Sequence, residues 1–236
     1  MTIGRWPLLV GTGVVTRWVL PAPAAHIRVL AGALGIACRV ERTNAVALTF
    51  DDGPHPEGTP ATLELLDSYK TRATFFLVGE QVERFPRIAA EIVRRGHEVA
   101  LHGHEHKLLL RRSPASLARE LEQADALIGE ATGQRPVFYR PPYGIFSAGA
   151  LPIVRRGGWK PMLWSRWGRD WSGSESPESI AGRAVAGLRP GDVVLLHDAD
   201  HYSVSGSWRM TVAALPLILE EIVELGVPSA TLSDST

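Results

Sequence analysis

Cysteine is almost absent. Cys38 stands alone in 236 residues, which excludes an intramolecular disulfide framework and a cluster of zinc thiolates. Its bland reading is a small buried thiol. An excess of either charge is missing too: 25 Lys and Arg balance 25 Asp and Glu, so the chain lacks the basic field usual in proteins that bind nucleic acid or anionic membranes. No run approaches the roughly 18 apolar residues that a membrane-spanning helix needs. Internal repeats, low-complexity tracts and blocks of like charge are likewise missing, and no interior linker suggests a second globular unit. What is present, 45% hydrophobic and 21% charged residues, is the composition of one ordinary globular domain long enough to bury a large core.

The first 43 residues read as an apolar N-terminal extension ahead of a domain over 44–236. "MTIGRWPLLVGTGVV" has one early Arg and an apolar run, and "PAPAA" downstream offers small residues like those at a signal cleavage site. Arg17 interrupts the apolar stretch. The extension is therefore read either as an export signal, which would place the protein at the cell envelope or outside, or as a segment packed on the domain or resting on a membrane surface. Without a signal function the chain would be cytoplasmic. Residues 27–40, "IRVLAGALGIACRV", have a helix-like pattern.

From Asn44 onward strand-like and helix-like segments alternate. Short apolar runs at 46–50, 73–78, 98–101, 137–140, 159–164, 192–196 and 229–232 predict strands. Three- and four-residue apolar spacing predicts helices over 60–69, 80–95, 114–131, 148–156, 177–188 and 210–225. Such alternation within one domain implies a parallel sheet wrapped by helices, as a barrel or distorted barrel, with an open doubly wound sheet as the alternative. In either architecture active sites form past the carboxyl ends of strands. There lie Asp51 and Asp52 after the first strand, "HGHEH" after the third, "RPPYG" after the fourth, "SRWGRDW" after the fifth and "HDADH" after the sixth.

"ALTFDDGPHP" runs a strand into two adjacent carboxylates, which repel each other unless something positive lies beside them. A divalent cation fits: one Asp serves as ligand while its neighbour, aimed elsewhere, takes a proton from water. Gly53 and Pro54 then form a tight loop beside it, although D-D-G-P also makes a turn with no function. His102 and His106 are four apart and share one face on a helical turn. Together with Asp52 they give two His and one carboxylate, a donor set that leaves positions open for water. Were the segment extended, His102, His104 and His106 would share a face instead; an exposed His-rich turn is the bland reading. His197 and His201 are also four apart and could suggest a second metal, with Asp198, Asp200 and His201 on a polar loop as the other reading. Of Trp164, Trp167, Trp171 and Trp208, most are expected to pack in the core or at the rim, with at most one or two on substrate.

"TFDDGP" at 49–54, "HGHEH" at 102–106, "RPPYG" at 140–144, "DW" at 170–171 and "LLH" at 195–197 together resemble the polysaccharide deacetylases of the NodB-homology type, carbohydrate esterase family 4, over about 45–232. The resemblance implies a distorted (β/α)7 barrel and metal-dependent hydrolytic removal of N-acetyl groups from amino sugars, as in peptidoglycan or chitin-like oligomers, with release of acetate. It implies Asp51 as base and Asp52, His102 and His106 as ligands of a divalent metal, zinc first, cobalt or another transition metal otherwise. Arg140 would hold Asp51 ionised, the Tyr143 backbone N–H would meet the oxyanion, and His197, oriented by Asp170, would be the general acid. Leu195, Trp171 and Pro142 would line the substrate site. The partner implied is an amino-sugar polysaccharide, with no nucleic acid; membrane-surface contact would come through the extension.

Two positions depart from the family pattern. Gly103 stands where Ser or Thr often follows the first His, and Trp167 where an Asp often precedes the Asp-Trp pair by three residues. Hydrolysis of another non-peptide C–N bond in a small amide, and a catalytically silent carbohydrate-binding role, are the alternative functions, because a fold does not fix a substrate.

Overall fold

A computed structural model describes residues 21–40 and 44–234. At its centre is strand β1 (Val46–Asp51), buried along its whole length, as expected of a parallel strand covered on both faces. Its neighbours are β2 (Thr74–Leu77) and β7 (Val193–His197). Beyond them lie β3 (Glu98–Leu101), β4 (Phe138–Tyr139), β5 (Lys160–Pro161) and β6 (Arg166–Trp167). The sheet runs β5-β4-β3-β2-β1-β7-β6 with parallel pairing, and a short β8 (Ser229–Ala230) joins the start of β1. The sheet curls into the distorted barrel expected of the sequence, with helices outside.

Two-residue periodicity decides which side chains enter the barrel. Val46, Leu48 and Phe50 join the large cluster beneath the helices, whereas Ala47 belongs to a smaller interior cluster with Phe76, Ala100, Phe138 and Val193. The same alternation carries Thr49 and Asp51 inward on β1. It does so for His102 two residues after Ala100, Arg140 two after Phe138, and Leu195 and His197 after Val193. Register aligns their heights: Asp51 pairs with Phe76 on one side and His197 on the other.

The predicted helices form, one of them split in two and the ends shifted by up to three residues. The chain forms α1 (Arg28–Ala33), α2 (Gly58–Ser68), α3 (Gly79–Arg84), α4 (Pro86–Arg94), α5 (Pro114–Thr132), α6 (Ala150–Arg156), α7 (Pro177–Val185) and α8 (Ser207–Glu224). The single helix predicted over 80–95 is two, because Pro86 cannot continue the first and instead opens the second. Residues 27–40 are helical only through Ala33; Ala37 then bridges in parallel to Met162 and Arg39 antiparallel to Asp192. That stretch spans the gap where β5 and β6 do not pair: Leu163 N–H donates to Ala37 O at 2.7 Å and Val40 N–H to Gly191 O at 2.9 Å. Ala24, Ala31 and Ile36 are buried in the same core as the strands. The expected export signal falls largely on residues 1–20, outside the described residues. Among the described residues, no helix is long and apolar enough to cross a membrane.

Candidate active site

The adjacent carboxylates at the end of β1 separate because Asp52 takes a left-handed conformation, φ 76°, uncommon outside glycine but accessible to Asp. Asp51 keeps the strand direction and meets Arg140. Arg140 Nη1 donates to Asp51 Oδ1 at 2.6 Å and to Thr49 Oγ1 at 2.9 Å, and Nη2 donates to Leu163 O at 2.9 Å. The guanidinium is fully buried and lies over the Phe76 ring, 3.9 Å from its centroid. Burial pulls the Arg140 pKa downward against the charge of Asp51, so each ion requires the other.

Asp52 turns to the histidines. Its Oδ1 lies 3.4 Å from His102 Nε2 and 3.3 Å from His106 Nε2. Backbone carbonyls only accept, so the 2.8 Å contact of His102 Nδ1 with Arg140 O places the proton on Nδ1 and leaves a lone pair on Nε2. Burial brings the His106 pKa down to about 4 against the charge of Asp52, so that imidazole is neutral near pH 7. For Asp52 burial acts upward, but the surrounding imidazoles of His102, His197 and His106 outweigh it and hold the carboxyl below its usual range. Ligand atoms of Asp52, His102 and His106 fall within 4.8 Å of one another, and buried Asp52 Oδ1 has no hydrogen-bond donor. Two imidazole nitrogens and a carboxylate oxygen converging at a buried point suit a divalent cation.

The histidine pair is not built on a helical turn. After β3 the chain is an irregular loop, bent at Gly103 with φ 94°, a conformation that a Ser or Thr side chain would strain. His106 thereby returns to Asp52 and stacks on Tyr202, with centroids 4.3 Å apart and planes 10° apart. His104 leaves the cluster, its Nε2 3.2 Å from Gln123 Nε2 on α5, so the extended three-histidine arrangement does not form.

Opposite the cluster, His197 ends β7. Its Nδ1 lies 2.9 Å from Asp170 Oδ1, and Asp170 Oδ2 accepts from His197 N–H at 2.6 Å and from Thr211 Oγ1 at 2.8 Å. Burial disfavours an imidazolium here, yet the Asp170 charge and hydrogen bond, with Asp52 and Asp51 behind, raise the His197 pKa to about 10. Tyr143 is exposed and lines the cleft with φ 61°. Pro142 is buried beneath that turn and does not line the cleft. The cleft has a volume of about 290 Å³. Leu195, His197, Trp164, Trp167 and Trp171 line it together with Tyr202, His102 and His106, and His26 joins them from the N-terminal segment. Trp208 is buried elsewhere, against His55.

Several sequence expectations change. "SRWGRDW" is not wholly a post-strand loop, because Arg166 and Trp167 form β6 beside β7. Asp198 is fully buried rather than part of a polar loop surface: it accepts from Thr59 Oγ1, and burial pushes its carboxyl up to about 7. His55, Asp200 and His201 also cluster, but His55 Nδ1 accepts the Glu57 and Gly58 N–H groups at 3.1 and 2.9 Å. Its proton therefore sits on Nε2, 3.2 Å from Asp200 Oδ1, an N–H donor rather than a metal ligand. Thr49, Thr211, Tyr202 and His26 were not anticipated. Only Thr49 left a signal, sharing the inward face of β1 with Asp51.

Comparison with known proteins finds related deacetylases and esterases. A peptidoglycan-N-acetylglucosamine deacetylase of Bacillus cereus is 34% identical over 192 residues, 80% of this chain and 86% of that protein. A crystal structure of a peptidoglycan N-acetylglucosamine deacetylase superposes with a TM-score of 0.80 at 29% identity, covering 87% of this chain and 94% of that one. A family 4 acetyl xylan esterase from Clostridium thermocellum, in complex with a cobalt ion, gives 0.73 at 30% identity, covering 81% and 89%. The family model described as polysaccharide deacetylase matches residues 39–162, and with relatives of this identity over most of its length the chain belongs to the polysaccharide deacetylase family.

Proposed function

We propose that this protein hydrolyses the acetamide of N-acetylated amino sugars within a polysaccharide or oligosaccharide, with a divalent cation held by Asp52, His102 and His106. The observation that carries the reading is the division of labour between adjacent carboxylates: Asp51 is tied to buried Arg140 at 2.6 Å, and Asp52 faces Nε2 of His102 and Nε2 of His106. Two nitrogens and one oxygen suit zinc, and cobalt equally in geometry. The bound cation supplies Lewis-acid polarisation of the amide carbonyl and acidifies water at neutral pH.

The chain's own groups do the rest. Asp51, ionised beside Arg140, takes the proton of the attacking water, with Oδ1 engaged by the guanidinium and Oδ2 on the side of His102, 3.8 Å from Nε2. The Tyr143 N–H donates to the developing oxyanion; loss of one such donor typically lowers the rate about 10²–10³-fold. His197, kept as imidazolium by Asp170, protonates the departing nitrogen, and acetate and a free amine result. Leu195, buried on the inner face of β7 and lining the cleft, packs against the acetyl methyl, and Trp171 lies beside the sugar.

Acetate release from N-acetylglucosamine oligomers and peptidoglycan fragments, measured on chelated protein and on zinc- or cobalt-reloaded protein, tests the proposal. Release is expected only after reloading. Metal binding without release from any amino sugar would overturn the substrate class, and release from acetylated xylan alone would move the reaction to esters. His104→Ala should retain metal and most activity, because His104 lies outside the cluster; metal loss measured in that variant would contradict the ligand set.

A further inference from the structure

The aromatic wall of the cleft extends beyond what acetamide hydrolysis requires. Trp167 stacks near Trp164 with centroids 6.1 Å apart, tilts against Trp171 at 5.3 Å and meets the His26 ring edge-on at 6.0 Å. Trp171 in turn meets His197 at 5.5 Å. These rings form a continuous band from the proton donor outward to the rim. Trp164, Trp167 and Trp171 are only partly buried and His26 is exposed, so their surfaces remain open to the cleft they line.

Two members of the band lie outside the family motifs. Trp167 stands where the family pattern often carries an Asp, and His26 precedes residue 39, where the family match begins. His26 is also firmly carried. Arg28 Nη2 donates to Ser165 O at 2.9 Å, beside Trp164, and the Ala37 bridge to Met162 ties the same segment across the barrel gap. On the other side, Ala25 approaches the "RPPYG" turn at Gly144, where a Cβ would come within 2.4 Å of the Trp164 ring. The absence of a side chain at 144 lets Trp164 close against that turn and complete the wall.

Partly exposed aromatic faces held at the cleft rim suit the C–H face of a pyranose ring, and aromatic side chains present such area at low conformational-entropy cost. We infer that His26, carried by the N-terminal segment, and Trp167 contact the sugar adjoining the one that is deacetylated, and that these two side chains strengthen the binding of an oligosaccharide over that of a single amino sugar. The inference rests on the proposed deacetylation, whose chemistry determines which sugar lies at His197.

Calorimetric binding and acetate-release kinetics with the N-acetylglucosamine tetramer and monomer test it on wild type, His26→Ala, His26→Phe and Trp167→Ala. In His26→Ala, Kd and KM for the tetramer should rise about 2- to 10-fold, the range for loss of one aromatic contact. Its kcat and the Kd for the monomer should stay unchanged, and His26→Phe should recover tetramer binding. Trp167→Ala should reproduce the tetramer defect. Unchanged tetramer Kd and KM in His26→Ala, or equal losses for monomer and tetramer, would overturn the subsite while leaving the reaction intact. Wild type that binds tetramer without releasing acetate, yet loses binding in His26→Ala, would overturn the reaction and support the subsite. Wild type that binds no tetramer would overturn both.

Discussion

Asp51→Asn is expected to lower acetate release by about 10²–10⁴-fold, the range for loss of a general base, while metal content stays near wild type. The carboxamide keeps the shape of Asp51 and still offers an oxygen to Arg140, but it cannot hold the proton taken from water. Metal should be retained because the proposed ligand atoms belong to Asp52, His102 and His106. A second effect follows from burial. Arg140 is fully buried, and with Asn at position 51 its charge keeps only neutral partners, Thr49 Oγ1 and Leu163 O among them. Breaking a buried ion pair by removing one charge costs about 3–5 kcal/mol; the surviving amide acceptor should keep the loss below that. Metal stoichiometry, thermal unfolding and kcat measured together separate the effects. Metal lost in parallel with activity would defeat the split between base and ligand.

Chemistry was more legible in the sequence than geometry, for a physical reason. The strands that bear the site are short and buried, and their inward positions alternate strictly, so motifs placed after apolar runs converge once the sheet is parallel. Asp51, Arg140 and His197 needed only that rule. Positive-φ turns carry no comparable pattern. The bend at Gly103 could not be told from a helical turn by an i, i+4 spacing, and Asp52 at φ 76° violates local preference where the site requires it.

The N-terminal segment shows the opposite failure. Apolar spacing over 27–40 predicts a helix, yet the free edge of β5 and the residues leading into β7 offer backbone partners that the local pattern cannot anticipate, and after Ala33 tertiary hydrogen bonds prevail over helical propensity. His26 was illegible for the same reason: its place in the cleft depends on contacts with residues more than a hundred positions away. Asp198 misled because a run of polar residues reads as solvated, whereas Thr59 supplies it a buried partner.

Asp170→Asn should move the alkaline limb of the pH–rate profile to lower pH and reduce turnover near neutrality by about 10²–10⁴-fold, as for other orienting carboxylates beside a catalytic histidine. His197 stands at about 10, above its ordinary 6.5, because Asp170, with Asp52 and Asp51, overcomes the burial that disfavours its charge. A raised folded pKa means that the stability from the imidazolium is whole below the ordinary value and is lost as pH rises towards 10, as is the capacity to protonate a leaving amine. Asparagine removes the leading favourable charge, so burial prevails and deprotonation comes earlier. A divalent cation in the Asp52–His102–His106 cluster repels the imidazolium and lowers its pKa in both proteins, leaving the direction of the difference intact. Thr211 can still donate to the Asn oxygen, which limits structural damage and makes pH dependence the diagnostic readout. An alkaline limb unmoved by Asp170→Asn would mean that some group other than His197 protonates the leaving nitrogen.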